Sequence, residues 1–267
     1  MLTGAASGIG KALALQLAQR GVRLQLVDCD AIGLDAIAGE CRASGTEANG
    51  HVVDLSEKSQ VDELLDDVRR DLGPIDLLIN NAGVVHYGPT AEMSSDDHES
   101  LLAVNLLAPL QLIHGLLPQL LERPEAHIVN VSSMYGFVAT AMCAAYHASK
   151  FGLLGYSESL HLELRRTQVS VTTVCPGFVA TGLFDRGRGS HSEVGVPHPP
   201  AWVTTSPQRV ARRIVRAIER RQRLVIITPL AWSLFYTNRY APWLLRLASW
   251  FRRDVKVQRP DLSKTGA

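Results

Sequence analysis

Six short runs rich in Val, Ile and Leu recur along the chain, each followed or preceded by a longer stretch with helical periodicity. The runs are VRLQLV (22–27), GHVVDL (50–55), IDLLIN (75–80), AHIVNVS (126–132), VSVTTVC (169–175) and RLVIIT (223–228). The helical patterns cover 10–20, 30–43, 58–72, 95–122, 144–166 and 207–221. Near-continuous apolar runs belong to strands buried on both faces, and strands that alternate with helices belong to a parallel sheet. Right-handed crossovers then give a Rossmann-like, doubly wound α/β sheet in a single domain. A length of 267 residues fits one such domain, here 1–228, followed by a C-terminal extension, 229–267. Residues 183–206 are rich in Gly, Pro and Ser and have no period, which predicts a long loop beside the substrate.

The chain opens MLTGAASGIG, placing Gly4, Gly8 and Gly10 directly before the helical stretch KALALQLAQRG. Glycines permit a tight turn and a close approach of backbone N–H groups to a pyrophosphate, and the helix N-terminus adds partial positive charge. Ser7 and Ile9 fall inside this turn and join the predicted cofactor contacts. The strand that should present the turn is reduced to MLT. A stub in a central position leaves neighbouring backbone groups unpaired, so the native chain is expected to begin several residues upstream. Asp28 ends the run LQLVD, roughly 20 residues beyond the glycines, the spacing at which an acid meets an adenosine ribose. Its carboxylate accepts hydrogen bonds from ribose hydroxyls and repels a 2′-phosphate. Asp30 adds negative charge and no Lys or Arg follows at once, so the expected nucleotide is NAD, with NADP the runner-up.

The middle of the chain reads NVSSMYGFVATAMCAAYHASK. Tyr146 and Lys150 are four residues apart and share a helix face. Ser133 ends a strand, at the carboxyl edge where open α/β sheets bind ligands. The glycine turn, NNAG (80–83), the strand-end serine, YHASK (146–150) and PGFVAT (176–181) occur together and in this order. In that combination the chain resembles the short-chain dehydrogenase/reductase family over residues 1–228.

The resemblance implies hydride transfer between a nicotinamide and an alcohol or carbonyl carbon, with a proton donor and acceptor beside the reacting oxygen. A free tyrosine titrates near 10, and bringing it to about 7 takes about 4 kcal/mol of differential stabilisation. The Lys150 ammonium and the charge of an oxidised nicotinamide are the expected sources. Tyr146 is then the acid/base. Lys150 tunes it and binds the nicotinamide ribose, and Ser133 holds the substrate oxygen. Ser132 is the adjacent alternative, but Ser133 lies at the family's usual distance before the tyrosine. Asn105 interrupts an apolar helical pattern, and Pro109, four residues on, has no N–H to give its carbonyl. That carbonyl needs another partner: either a water that relays protons to Lys150, as the resemblance implies, or a structural water at a simple proline kink. By the same resemblance Asp54 meets the adenine amino group, with Leu55 beside it, although Asp54 also reads as a turn acid. Asn81, Ala82 and Gly83 line the adenosine ribose. Pro176, Gly177 and Val179 approach the nicotinamide, and Thr181 meets its carboxamide or phosphate.

The formal net charge of +1 points to no polyanionic partner. Between Pro207 and Lys256, however, twelve Lys/Arg face only Glu219 and Asp254. Residues 229–257 interleave arginines with Trp232, Phe235, Tyr236, Tyr240, Trp243, Trp250 and Phe251. Such a stretch suits a membrane interface, a lid over an apolar pocket, or a helix packed on a partner subunit. Its arginines divide between helix faces and no reading module accompanies them, which argues against nucleic acid. The tail and the loop 183–206 together predict an apolar lipid-, retinoid- or steroid-like alcohol or carbonyl. The family usually forms dimers or tetramers through its two long helices, here 95–122 and 144–166. Four cysteines at unrelated spacings form no zinc or disulfide pattern, so no metal and a cytoplasmic protein, in possible contact with membrane, are expected. Two rivals keep the fold: a reductase that prefers NADPH, and an NAD-binding interaction protein without turnover.

Overall fold

In a computed structural model that describes residues 1–183, 188–189 and 199–250, the elements follow in the order β1 (Leu2–Thr3), α1 (Gly8–Ala18), β2 (Leu24–Asp28), α2 (Ala31–Ala43), β3 (Ala48–Val52), α3 (Lys58–Asp67), β4 (Leu77–Asn80), β5 (His86–Tyr87), α4 (Ser95–Leu102), α5 (Ala108–Glu122), β6 (Ala126–Val131), α6 (Ala144–Leu164), β7 (Val169–Pro176), β8 (Arg188–Gly189), α7 (Pro207–Glu219), β9 (Leu224–Ile227), α8 (Pro229–Tyr240) and α9 (Pro242–Trp250). Seven strands form one parallel sheet in the order β3-β2-β1-β4-β6-β7-β9. The order reverses between β1 and β4, and a crevice opens at that point beyond the strand carboxyl ends. The sheet carries two apolar layers. Leu13, Leu17, Leu34, Ile214 and Val210 pack on one face, and Leu65, Leu112, Leu116, Leu160 and Leu164 on the other.

The strand stub is paired on both sides. Leu2 lies opposite Leu26 and Ile79, and Thr3 lies opposite Val27. The Ile79 N–H donates to the Met1 carbonyl at 2.9 Å, and the Met1 ammonium donates to the Leu77 carbonyl at 2.7 Å. Three residues thus occupy the centre of the sheet, with the Met1 ammonium and carbonyl both bonded to β4.

Two other expected elements shift. The run predicted as strand over 50–55 pairs instead over Ala48–Val52; the Val53 N–H makes a last bond to the Asp28 carbonyl at 3.0 Å, and Asp54 and Leu55 go on to line the crevice. The helical pattern 95–122 is interrupted by a π turn at Ala103–Leu107, where the Ala108 N–H donates five residues back to Ala103. Pro109 cannot donate, and the wider turn accommodates it. Together Ser95–Glu122 are long and apolar enough to cross a membrane, but Leu112, Ile113, Leu116 and Leu120 are buried in the core.

The concentration of arginine finds a local explanation in α7. Val210, Ala211, Ile214, Val215 and Ala217 are buried, while Arg209, Arg212 and Arg216 face solvent, as an amphipathic helix requires. The C-terminal extension continues as α8 and α9. Phe235 packs edge-on against Phe137 with ring centroids 5.2 Å apart. Of the predicted loop 183–206, residues 184–187 and 190–198 lie outside the described residues, as do 251–257 of the predicted interfacial stretch; Arg188–Gly189 pairs in parallel with His86–Tyr87.

Candidate active site

The glycine turn is built by three glycines with different reasons. Gly4 and Gly8 have φ of 65° and 54°, which side chains resist. Gly10 has no such need; a Cβ there would overlap the Gly4 carbonyl and lie 2.8 Å from Asn81 Nδ2. Asn81 braces the turn from β4. Its amide donates to the Thr3 carbonyl at 3.0 Å and the Gly4 carbonyl at 3.1 Å. The Asn81 and Ala82 N–H groups both donate to the Thr3 hydroxyl, at 3.0 and 3.1 Å. Asp28 reaches back from β2: its Oδ2 accepts from the Ala6 N–H at 2.9 Å and its Oδ1 from the Asp30 N–H at 3.0 Å. Each oxygen retains acceptor capacity toward the crevice. Asp54 is exposed, with Oδ1 accepting from the Ser56 N–H and hydroxyl at 2.8 and 2.7 Å, so it is a turn acid as well as a crevice residue.

Ser133 follows β6 and caps a short 3₁₀ turn, accepting from the Tyr135 N–H at 3.1 Å. Its hydroxyl is near enough to the Tyr146 phenol to favour the charged form of that group. Ser132 points elsewhere: its hydroxyl donates to the Lys150 carbonyl at 2.9 Å, inside the protein. Lys150 is 3% exposed, donates to the Val131 carbonyl at 3.1 Å, and holds its ammonium 5.8 Å from the Tyr146 ring centre.

Asn105 differs from the expectation in detail. It is fully buried in the π turn, and its side chain clamps the main chain of Val84 in both directions. Oδ1 accepts from the Val84 N–H at 2.8 Å, and Nδ2 donates to the Val84 carbonyl at 2.9 Å and to Ser149 Oγ at 3.2 Å. Gly83 lies between this amide and Lys150: a Cβ on it would sit 3.3 Å from Asn105 Oδ1 and 3.5 Å from Lys150 Nζ. The side chain of Asn105, and not only its carbonyl, therefore sets the position of the Gly83–Val84 backbone.

Burial dominates the electrostatics. It pushes the Tyr146 phenol up to about 12, against the opposing hydrogen bond from Ser133, and brings the Lys150 ammonium down to about 8. The protein's own groups thus keep Tyr146 protonated at neutral pH, and the charge of an oxidised nicotinamide, the second source expected, would add to Lys150 when bound. In a dry site the desolvation of a phenolate outweighs one ammonium at this range.

A cavity of about 700 Å³ joins these parts. Gly4, Ser7, Gly8, Ile9, Asp28, Asp54, Leu55, Asn81, Ala82, Gly83, Ser133, Tyr146, Lys150, Pro176, Gly177, Val179 and Thr181 all line it. Gly10 and Asn105 do not; they act from behind the wall. The sequence reading missed the far end, which is formed by Val85, Tyr87, Tyr135, Cys143, Phe178 and Leu183. Cys143 and Phe178 were recoverable from their spacing to Tyr146 and Gly177. Tyr87 arrives on a strand only two residues long and left no periodic signal. The volume, the glycine cradle and the acid at the end of β2 fit a dinucleotide with room for a small substrate.

Sheet order, switch-point crevice and glycine cradle define the dinucleotide-binding Rossmann class. A family model described as short chain dehydrogenase matches residues 1–189. The chain is 33% identical over 227 residues to the ketoacyl reductase HetN of Nostoc sp., covering 85% of this chain and 77% of that one. It is 30% identical over 230 residues to 17-beta-hydroxysteroid dehydrogenase 13 of Mus musculus, covering 85% and 72%. Among solved structures, a short-chain dehydrogenase from Burkholderia phymatum in complex with NAD superposes with a TM-score of 0.80 at 28% identity, over 96% of each chain. One from Sphingobium yanoikuyae in complex with NADPH gives 0.78 at 26%, over 98% of each. The chain belongs to the short-chain dehydrogenase/reductase family: it is an oxidoreductase of alcohol or keto groups that uses a nicotinamide cofactor.

Proposed function

We propose that this enzyme interconverts an apolar alcohol and its carbonyl with NAD, using Tyr146 as acid/base, Ser133 to hold the substrate oxygen, and Lys150 and Asn105 to order the site. The observation that carries the reading is that Ser133, Tyr146 and Lys150 line one cavity together, between its glycine-lined and apolar ends. When bound there, a nicotinamide supplies or accepts the hydride. In carbonyl reduction the phenol of Tyr146, protonated at neutral pH, donates its proton to the oxygen that Ser133 holds. In alcohol oxidation the same oxygen atom of Tyr146 takes the proton back. Lys150, with its ammonium near that phenol, favours the charged form whenever the proton leaves. Tyr87, Tyr135, Phe178 and Leu183 offer an apolar surface to the rest of the substrate, consistent with a lipid-, retinoid- or steroid-like molecule.

Asp28 supports the choice of NAD. Its carboxylate stands at the crevice, bonded to the main-chain N–H groups of Ala6 and Asp30, and a 2′-phosphate would meet like charge there. In fluorescence titrations the protein is expected to bind NADH at least about tenfold more tightly than NADPH, and Asp28→Asn to narrow that gap. Equal affinities would remove the NAD assignment and leave the reductase that prefers NADPH. Turnover is then sought with NADH and a panel of alicyclic, polyene and long-chain carbonyls.

The exposed face of α8 and α9 supports peripheral contact with an anionic lipid surface. Trp232, Tyr236 and Tyr240 stack along it, and Trp243, Leu244 and Leu247 continue the surface. Arg239 and Arg246 are exposed on the same two helices, which carry no acid from Pro229 to Trp250. Aromatic and cationic groups together match a negatively charged bilayer surface. The protein is expected to float with vesicles rich in phosphatidylserine, and a variant with Trp232, Tyr240 and Trp243 replaced by Ser to remain at the bottom. Equal flotation of the two proteins would remove the membrane contact. Exposed Leu107, Leu121, Phe151 and Leu162 on α4–α6 and the turn between α4 and α5 support dimers or tetramers through those helices. Four free thiols support a reducing, cytoplasmic location.

A further inference from the structure

We propose that α8 is a strut between the two walls of the cavity's apolar end, and that Asn238 is a positioning residue that sets the Met134–Tyr135 wall. The inference rests on the reading that this end receives the substrate. One wall is the turn after Ser133, and the other is the segment Pro176–Phe178 after β7. They meet at ring edges, Tyr135 against Phe178 with centroids 6.2 Å apart. The tail joins them from behind.

At its start, α8 is locked to the second wall. Thr228 has φ of 96°, a conformation a β-branched residue adopts only when its surroundings impose it. Its hydroxyl caps the helix by accepting from the Ala231 N–H at 3.2 Å. The same hydroxyl fills the space where a side chain on Gly177 would be, and the Gly177 N–H donates to the Ile227 carbonyl at 3.0 Å. Further along, α8 holds the first wall. Leu234 and Phe235 pack in one apolar cluster with Met134, Phe137 and Phe178. Asn238 then donates from Nδ2 to the Phe137 carbonyl at 2.7 Å, across 101 residues of sequence. Phe137 is 7% exposed, so this bond reaches into the body of the protein from the C-terminal half of α8.

The turn so held leads to the reacting groups. The Tyr135 ring stands 6.3 Å from that of Tyr146, edge to face, and 4.8 Å from the His147 imidazole. A shift of Phe137 moves Tyr135, and with it the surface offered to substrate, while the dinucleotide end of the cavity stays as it is.

The test compares Asn238→Asp, Asn238→Ala and Asn238→Gln in the full chain. Aspartate keeps the shape but sets an acceptor against the Phe137 carbonyl, whereas glutamine keeps the donor. With NADH and an apolar carbonyl that the parent reduces, KM is expected to rise about tenfold for the Asp variant, less for Ala, and to recover in part for Gln. kcat and the NADH dissociation constant should stay within about twofold. Hydrogen exchange of residues 134–138, measured without substrate, should quicken about tenfold in the Asp variant. Unchanged exchange there overturns the strut whatever the turnover. Faster exchange with an unchanged KM overturns the positioning role, as does a loss of NADH affinity in step with KM. If the parent reduces no carbonyl, the proposed reaction has failed, and the exchange result alone decides the strut.

Discussion

Tyr146→Phe is expected to lower turnover by about a thousandfold while leaving NADH affinity within about twofold of the parent. The substitution removes one oxygen and keeps the ring. The ring's packing against Leu101, Val85 and Cys143, and its edge contact with Tyr135, survive. Only the polar contact of the phenol with Ser133 is lost, a stability cost of at most about 1 kcal/mol. Phenylalanine cannot give or take a proton, so the oxygen held by Ser133 would have to exchange its proton with solvent in a site that excludes it. Initial rates with NADH, together with fluorescence titration of both proteins, check this. Turnover above about a tenth of the parent's would show that another group carries the proton. Loss of NADH binding would show instead that the variant disturbs the crevice, and the rate would then say nothing about acid/base chemistry.

Gly10→Ala should have the second large effect, through a different cause. The added Cβ would overlap the Gly4 carbonyl oxygen and lie 2.7 Å from its carbon. That carbonyl is main chain, tied by Asn81 and held at positive φ, so it cannot step aside cheaply. The expected cost is about 3 kcal/mol, or a fall in Tm of roughly 6–12 °C. NADH affinity should drop on the order of a hundredfold, because the N–H groups of the turn lose their alignment. Gly39→Ala is the control. It lies inside α2 with nothing within 4 Å of an added Cβ, and should stabilise by about 0.8 kcal/mol. If both variants melt and bind like the parent, the close packing of α1 on the turn is not what fixes the crevice.

Much of this molecule could be read before its coordinates, and the reason is locality. A strand buried on both faces and an acid that ends it are properties of a few adjacent residues, so LQLVD was legible. The same holds for Tyr146 and Lys150, which one helix turn brings together. Spacing favoured Ser133 over Ser132, and the Ser132 hydroxyl is bonded to the Lys150 carbonyl. The failures are non-local. The run at 50–55 looked like a strand, but only the edge position of β3 decides where pairing stops. Asn105 was singled out for a carbonyl left without a donor, whereas its side chain does work that depends on where Val84 lies. How far burial opposes the near-neutral phenol expected of Tyr146 depends on everything that packs around its ring, which the run YHASK does not show. Nothing in the tail's own sequence announced that Thr228 and Asn238 grip two separate loops of the cavity.

The π turn at Ala103–Leu107 amounts to one residue more than a regular helix would need. An α-helix advances by about 100° per residue, so each residue gained or lost here swings everything downstream by that angle. Removing one would restore a smooth helix yet rotate Leu112, Ile113, Leu116 and Leu120 out of the core. Adding one would turn them the other way. Point substitutions can be absorbed in this helix one at a time, but its length is frozen: the surplus residue that seats Asn105 has become the reference from which the register of the rest of the helix is counted.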